Sequence, residues 1–302
     1  MPIKSKGNKP SSPHWWLHIA MLPLAITAIV GYLGTTAWTI FLSFTNSRMF
    51  PSTNLVGVDQ YRRLFASERW SIAVDNLFLF AVGSIILSTL LGFLLAVFID
   101  QKIRGESLFR SIFLYPYALS MVVTGLVWQW MFNPEMGLQA AVQRMGFENF
   151  ELDWLVSQDM VMYCVIIAGI WQGAGLIMAL ILAGLRGIDE EIWKSSRLDG
   201  IPTWRTYVSI VLPMIRGSMA TVLTLQIIGT IKVYDVVVAM TRGGPGLASE
   251  VPAKFILDNM GGRSNLGLAS AASTVLLLTV IALLVPVYFF NKHQAARRGG
   301  HA

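Results

Sequence analysis

The chain has 302 residues, 54% hydrophobic and only 13% charged, with a mean hydropathy of +0.58. A soluble domain carries roughly 25% charged residues, so this composition argues against an ordinary water-soluble enzyme, and 16 Phe, 10 Trp and 8 Tyr exclude a solvated disordered chain. The single cysteine, Cys164, excludes an internal disulfide and a thiolate metal cluster, and a net charge of +6 confined to ends and loops points to membrane orientation rather than nucleic acid.

A bilayer core of about 30 Å takes about 20 apolar residues in helix. Six stretches qualify, running roughly from Leu17 to Phe44, Ile72 to Ile99, Leu108 to Phe132, Met160 to Leu185, Met214 to Met240 and Leu266 to Phe290. The first is longer than a signal-peptide core and no small-residue cleavage pattern closes it, so it is expected to remain as an anchor. Pro116 in the third and Pro286 in the sixth are of a kind that neighbouring helices accommodate in lipid. Gly267, Ala269, Ser270, Ala271, Ala272 and Ser273 open the sixth and predict a close packing seam.

Lysine and arginine orient the spans. With the N-terminus in the cytoplasm, fourteen lie inside (Lys4, Lys6, Lys9, Lys102, Arg104, Arg110, Arg186, Lys194, Arg197, Arg205, Arg216, Lys292, Arg297, Arg298) and eight outside (Arg48, Arg62, Arg63, Arg69, Arg144, Arg242, Lys254, Arg263). Both ends are therefore expected in the cytoplasm. The outer segment near Asn133 to Asp159 collects Glu135, Glu148, Glu151, Asp153 and Asp159. The outer segment near Thr241 to Asn265 is rich in glycine. His14, His18, His293 and His301 lie near the ends and offer no metal constellation.

The longest inner loop, Gly187 to Pro213, reads as a helix, a turn and a second helix. Asp189 is a good N-cap, and Glu190 and Glu191 sit in the first turn, where the helix dipole favours acids. Asp199-Gly200 breaks the helix, since glycine accepts the positive φ of a C′ position. Pro202 and Thr203 reopen a helix, with Trp204, Tyr207, Ile210 and Val211 on one apolar face, and Pro213 marks the entry to the fifth span. Trp193 is expected to be exposed beside charges. Two readings fit that aromatic: an anchor for a docking partner, or an amphipathic helix lying on lipid headgroups.

Polar residues inside the spans default to function. Gln226, Thr230 and Tyr234 fall at i, i+4, i+8 on the fifth span, with Val233 beside them, and the fourth adds Trp171 and Gln172. Hydroxyl and amide hydrogen bonds with an aromatic plane suit a neutral sugar. Equally, Gln226, Thr230 and Gln172 are able to satisfy one another across helices. Lys232 and Asp235, at i, i+3, either neutralise each other or serve ion coupling in a secondary transporter. The absence of paired repeats with broken helices argues against the latter.

The inner loop resembles the EAA loop of permease subunits of binding-protein-dependent ABC importers, in which E-A-A is followed by three residues, G, nine residues and I-x-L-P. The matching positions are Lys194-Ser195-Ser196, Gly200 and Ile210-Val211-Leu212-Pro213, with Lys194 where the family has Glu. Val56 to Tyr61, Trp128 to Pro134, Tyr234-Asp235 and Thr241-Arg242-Gly243-Gly244-Pro245-Gly246 resemble further segments of the sugar-type branch, in the same order, so that the similarity spans about residue 15 to 290.

The resemblance implies an all-α polytopic protein with six transmembrane helices and both termini cytoplasmic, the type I transmembrane domain of an importer. Residues 1–70 would hold a cytoplasmic tail, the first helix and an outer loop; 71–291 the permease core, with the coupling loop at 187–213; 292–302 a cytoplasmic tail. It implies a second permease subunit, two ATP-binding subunits, an extracytoplasmic solute-binding protein, a sugar substrate and a bacterial or archaeal inner or plasma membrane. No G-x-x-x-x-G-K-[ST] phosphate loop occurs, so this chain is expected to be no enzyme and to bind no cofactor, with ATP-Mg on the partner ATPase. Glu191, Trp193, Lys194, Ser195, Ser196, Asp199, Gly200, Ile210, Leu212 and Pro213 would couple to that ATPase. Trp171, Gln172, Gln226, Thr230, Val233 and Tyr234 would line the substrate pathway.

Overall fold

The computed structural model describes residues 15–101, 103–231 and 233–299, with side chains described from 21 onward and, near the C-terminus, as far as 286 and at Phe289. Of the expected charge pattern, Lys4, Lys6, Lys9, Lys102 and Lys232 lie outside the described residues, and Lys292, Arg297 and Arg298 are described in backbone only. Among those described the architecture is all helical, with one isolated antiparallel bridge between Thr45 and Leu55.

Helix α1 (Trp15–Ile26) runs through a π-helical stretch (Thr27–Gly34) into α2 (Thr35–Ser43). The short outer α3 (Asp59–Phe65) leads to α4 (Glu68–Asp100). Then follow α5 (Glu106–Ala118), α6 (Met121–Met131), the short α7 (Leu138–Arg144) and α8 (Val161–Leu185). The inner loop forms α9 (Glu190–Leu198) and α10 (Thr203–Thr206), a π-turn (Tyr207–Val211) and α11 (Leu212–Met214). Helices α12 (Arg216–Ile231), α13 (Asp235–Met240), α14 (Pro252–Met260) and α15 (Leu266–Gly299) complete the chain.

Four helical segments are long and apolar enough to cross a membrane unbroken: Met21–Ser43, Glu68–Asp100, Val161–Leu185 and Leu266–Pro286. Two bent pairs bring the total to six, with α5 and α6 meeting at 99° and Thr203–Met214 meeting α12 at 75°. Four to six spans are therefore available, six when each bent pair counts as one crossing, and the third and fifth are not the single helices expected. Leu119 and Ser120 are extended, with ψ of 147° and 150°, and the Ser120 side chain accepts a hydrogen bond from Val123 N at 3.3 Å, so a new helix starts there with its own N-cap. Pro116, which has no N–H to donate, sits in the last turn before the bend. The fifth expected stretch likewise ends one helix at Ile231 and starts another at Asp235.

Helices α4 and α8 form the central pair, and α5 packs on α8. At Gly175 the α5 backbone lies so close that a Cβ would sit 2.0 Å from the Phe113 carbonyl oxygen; only glycine fits this approach. One buried cluster joins Phe80, Met162, Val165, Val236 and Met240; a second, toward the inner loop, joins Ala96, Ile99, Ile181, Leu185, Tyr207 and Val211. The third joins Ala269, Ala271 and Ala272 to Leu64, Trp70 and Phe255, which is the seam the small residues foretold.

Candidate functional site

The inner loop folds as a locked elbow. Asp189 Oδ1 accepts from Glu191 N at 3.0 Å and starts α9. Gly200, at φ +68°, ends it in a double closure: Gly200 N donates to Arg197 O and Ile201 N to Ser196 O, each at 3.1 Å. The two arms are then pinned by a buried contact of 2.6 Å between the Ser196 and Thr206 hydroxyls. Tyr207 and Val211 carry the second arm into the cluster that holds α4 and α8, so displacement of the elbow bears directly on two spans.

The expected apolar face of the second arm is only half right. Tyr207 and Val211 are buried and Ile210 is half-buried, but Trp204 points outward, 69% exposed. Trp193, expected as the exposed aromatic, instead turns inward and packs edge-on against Tyr207, with ring centroids 5.3 Å apart. The reason is the π-turn at Tyr207, which brings that ring under α9. The most exposed large apolar residues of the elbow are Leu198, 87% exposed, and Trp204, with Val208 next at 55%. Leu198 was missed because a single leucine amid charges carries no periodic signal. Glu191, Lys194, Ser195, Asp199, Gly200 and Pro213 are exposed, Leu212 is half-buried, and Lys194 reaches Glu190 at 3.9 Å. Both members of that pair are more than 70% exposed, so it contributes little.

Within the spans, Gln226, Thr230 and Gln172 are each hydrogen-bonded within the chain itself. Gln226 is held by α4, accepting from Ser88 Oγ at 2.5 Å and donating to Thr89 Oγ1 at 2.7 Å. Thr230 donates back to Ile227 O at 2.9 Å. Gln172 donates to Leu119 O at 3.0 Å, which satisfies a carbonyl released by the bend of the third span. The three do not bond one another. Nor do Gln226, Thr230 and Tyr234 share one continuous helix, because Tyr234 is the N-cap of α13, beyond the end of α12. Trp171 lies edge-on to Trp128 at 5.9 Å, Val233 is buried among the first cluster, and Tyr234 is half-buried. Asp235 is exposed.

On the opposite end, a charge network ties α4 to α14. Arg69 Nε donates to Glu250 Oε1 at 2.9 Å, Arg69 also pairs with Asp258, and Lys254 Nζ donates to Asp258 Oδ2 at 2.7 Å. Asn76 Nδ2 donates to Glu250 O at 3.0 Å, and Glu250 is only 1% exposed. Sequence reading placed Arg69 and Lys254 only as outer charges and did not single out Glu250, Asp258 or Asn76. The i, i+4, i+8 spacing of Glu250, Lys254 and Asp258 was the available signal.

Residues 88–299 match the family model described as binding-protein-dependent transport system inner membrane component. A probable ABC transporter permease protein of Pyrococcus horikoshii is 32% identical over 282 residues, covering 91% of this chain and 95% of that protein. A xylose/arabinose import permease protein of Haloferax volcanii is 27% identical over 94% of this chain and 88% of that one. Among solved structures, a chain of a bacterial ABC transporter involved in import of the acidic polysaccharide alginate superposes with a TM-score of 0.78 at 20% identity, covering 94% of this chain and 96% of that one.

Proposed function

Because the chain belongs to the binding-protein-dependent transport system inner membrane components and so is an importer permease, we propose that it forms half of the transmembrane pathway for a neutral sugar and takes its mechanical work from a separate ATPase through the elbow at 187–213. The observation that carries this reading is the double lock of that elbow, Gly200 closing α9 and Ser196 holding Thr206. A rigid hairpin seated on α4 and α8 transmits a displacement that a flexible loop would absorb. Leu198 and Trp204 are apolar anchors for the ATPase, with Glu191, Lys194, Ser195, Asp199 and Gly200 around them.

The chain binds no ATP in this scheme; ATP-Mg belongs to the partner. The remaining assembly is a second permease subunit, two ATP-binding subunits and an extracytoplasmic solute-binding protein, in the inner or plasma membrane, with both termini of this chain in the cytoplasm and its permease core at 71–291. A relative named for xylose/arabinose import supports a sugar. Trp171, Thr230 and Tyr234 are the pathway residues that keep an aromatic or hydroxyl group, while Gln172, Gln226 and Val233 hold the walls.

The test is reconstitution. Proteoliposomes holding the full assembly should accumulate labelled xylose or maltose only with ATP, the ATPase and the binding protein. Uptake by this chain alone, driven by an imposed ion gradient, would overturn the proposal.

A further inference from the structure

A cavity of about 670 Å³ lies behind the elbow, between it and the inner ends of α4 and α8. That volume is within the range of small-molecule sites, roughly 300–1,000 Å³. Its walls hold a T-shaped aromatic pair, Trp193 and Tyr207. Around them stand Asp100, Gln101, Arg186 and Arg197. Gln101 Nε2 reaches Tyr207 OH at 3.3 Å, and Arg186 is already held by Glu106 at 2.7 Å and lies 4.0 Å from Asp100. Acceptors and donors therefore stand beside the aromatic pair, with opposite charges set against one another. That combination suits a neutral polyhydroxy ligand, whose hydroxyls both donate and accept and whose C–H face lies on an aromatic ring. An anion would meet Asp100 as well as the guanidinium groups. Leu198 and Trp204 do not line the cavity, whereas Lys194 of the proposed docking surface does, so a partner seated on that exposed pair borders the cavity and leaves Asp100, Gln101, Arg186 and Tyr207 for another occupant.

We propose that this cavity is a cytosolic sugar site through which accumulated sugar slows its own import. Three of its walls belong to the elbow, α4 and α8, so an occupant braces the elbow against the spans it must move. The identity of the ligand as the transported class rests on the function proposed above; the site itself rests on the cavity.

The test uses the complete assembly in proteoliposomes with the ATPase facing the bath and the binding protein and labelled sugar in the lumen. Xylose or maltose added to the bath at about 10 mM is expected to lower ATP-driven export from the lumen and coupled ATP hydrolysis by about fivefold or more. Gln101→Trp, which fills the cavity from an exposed helix-end position outside the docking surface, is expected to keep the uninhibited rate and lose the inhibition. Equilibrium dialysis of labelled maltose against the assembly without binding protein gives a second reading, with the cavity's share of binding abolished by Gln101→Trp. Unchanged rates with bath sugar, equal inhibition of Gln101→Trp, or inhibition by glycerol 3-phosphate alone would overturn the inference. A transport failure with dialysis binding that Gln101→Trp abolishes would count against the proposed function and leave the cavity site standing.

Discussion

Ser196 and Thr206 hold each other at 2.6 Å inside the elbow, ten residues apart in sequence and on different helices. Both are buried; without Ser196 the Thr206 hydroxyl keeps only a 3.4 Å contact to Pro202 O, and without Thr206 the Ser196 hydroxyl loses its 2.6 Å partner. A buried polar group left without its partner costs about 1–3 kcal/mol. Thr206→Val is therefore expected to loosen the elbow rather than unfold the protein. ATP hydrolysis by the assembly should persist while hydrolysis per sugar transported rises, and Ser196→Ala with Thr206→Val should cost less than the sum of the two singles. Additive effects on the coupling ratio would show that the hydroxyl pair does not lock the arms.

Gly200 has φ +68°, and among the described residues no atom beyond its own neighbours in sequence lies within 4 Å of where its Cβ would be. Any side chain there strains the backbone by about 1 kcal/mol and then projects away from the chain's own packing. Gly200→Ala supplies the strain with little bulk, and Gly200→Asp adds length and charge on the surface proposed to meet the ATPase. Both variants should insert at normal levels. Gly200→Asp should lower ATP-driven uptake by about tenfold or more, with Gly200→Ala much milder. Full uptake by Gly200→Asp would remove the docking role from this loop.

Gln172 caps the Leu119 carbonyl across the bend of the third span. In a membrane interior that carbonyl has no water to fall back on. Gln172→Leu is expected to cost about 1–3 kcal/mol of stability, read as a lower melting temperature of the detergent-solubilised assembly, with uptake reduced at all sugar concentrations alike. A raised KM with unchanged melting would instead place Gln172 on the sugar.

The elbow was legible because its signals are local. Asp189 before two acids and Asp199-Gly200 each act over a few residues and took the form expected, whereas the run to Pro213 became a short helix and a π-turn. The spans were legible as hydropathy but not as shape. A window of apolar residues averages over the two extended residues, Leu119 and Ser120, that bend the third span, and the amide that makes the bend tolerable comes from Gln172, 53 residues on. Trp193 was misplaced for the same reason: its inward turn depends on a π-turn at Tyr207 that residue spacing does not announce. Gln226 of the fifth span was found, but its partners on α4, Ser88 and Thr89, are fixed only by packing.

The outer network shows what a long-range contact adds to a local pattern. Glu250, Lys254 and Asp258 lie one helical turn apart, whereas Arg69 reaches them across 181 residues and rests over the Phe255 ring at 5.6 Å. For Asp258, partial burial works to raise the carboxyl pKa, but hydrogen bonds and charge from Lys254 and Arg69 outweigh it and hold the group below its ordinary value of 3.8. A carboxyl lowered on folding stabilises the folded state above its unfolded pKa, and that contribution disappears as pH falls through the folded one. The clamp between α4 and α14 should thus be intact at neutral pH and weaken only below about pH 4. Asp258→Asn removes the charge at every pH. Wild type is expected to melt higher than Asp258→Asn at pH 7, with the gap closing on acidification. The effect should be modest, because Asp258 is more than a third exposed. Melting curves of the two assemblies between pH 7 and 3 check this, and a gap that stays constant over that range would show that the Asp258 charge does not hold the clamp.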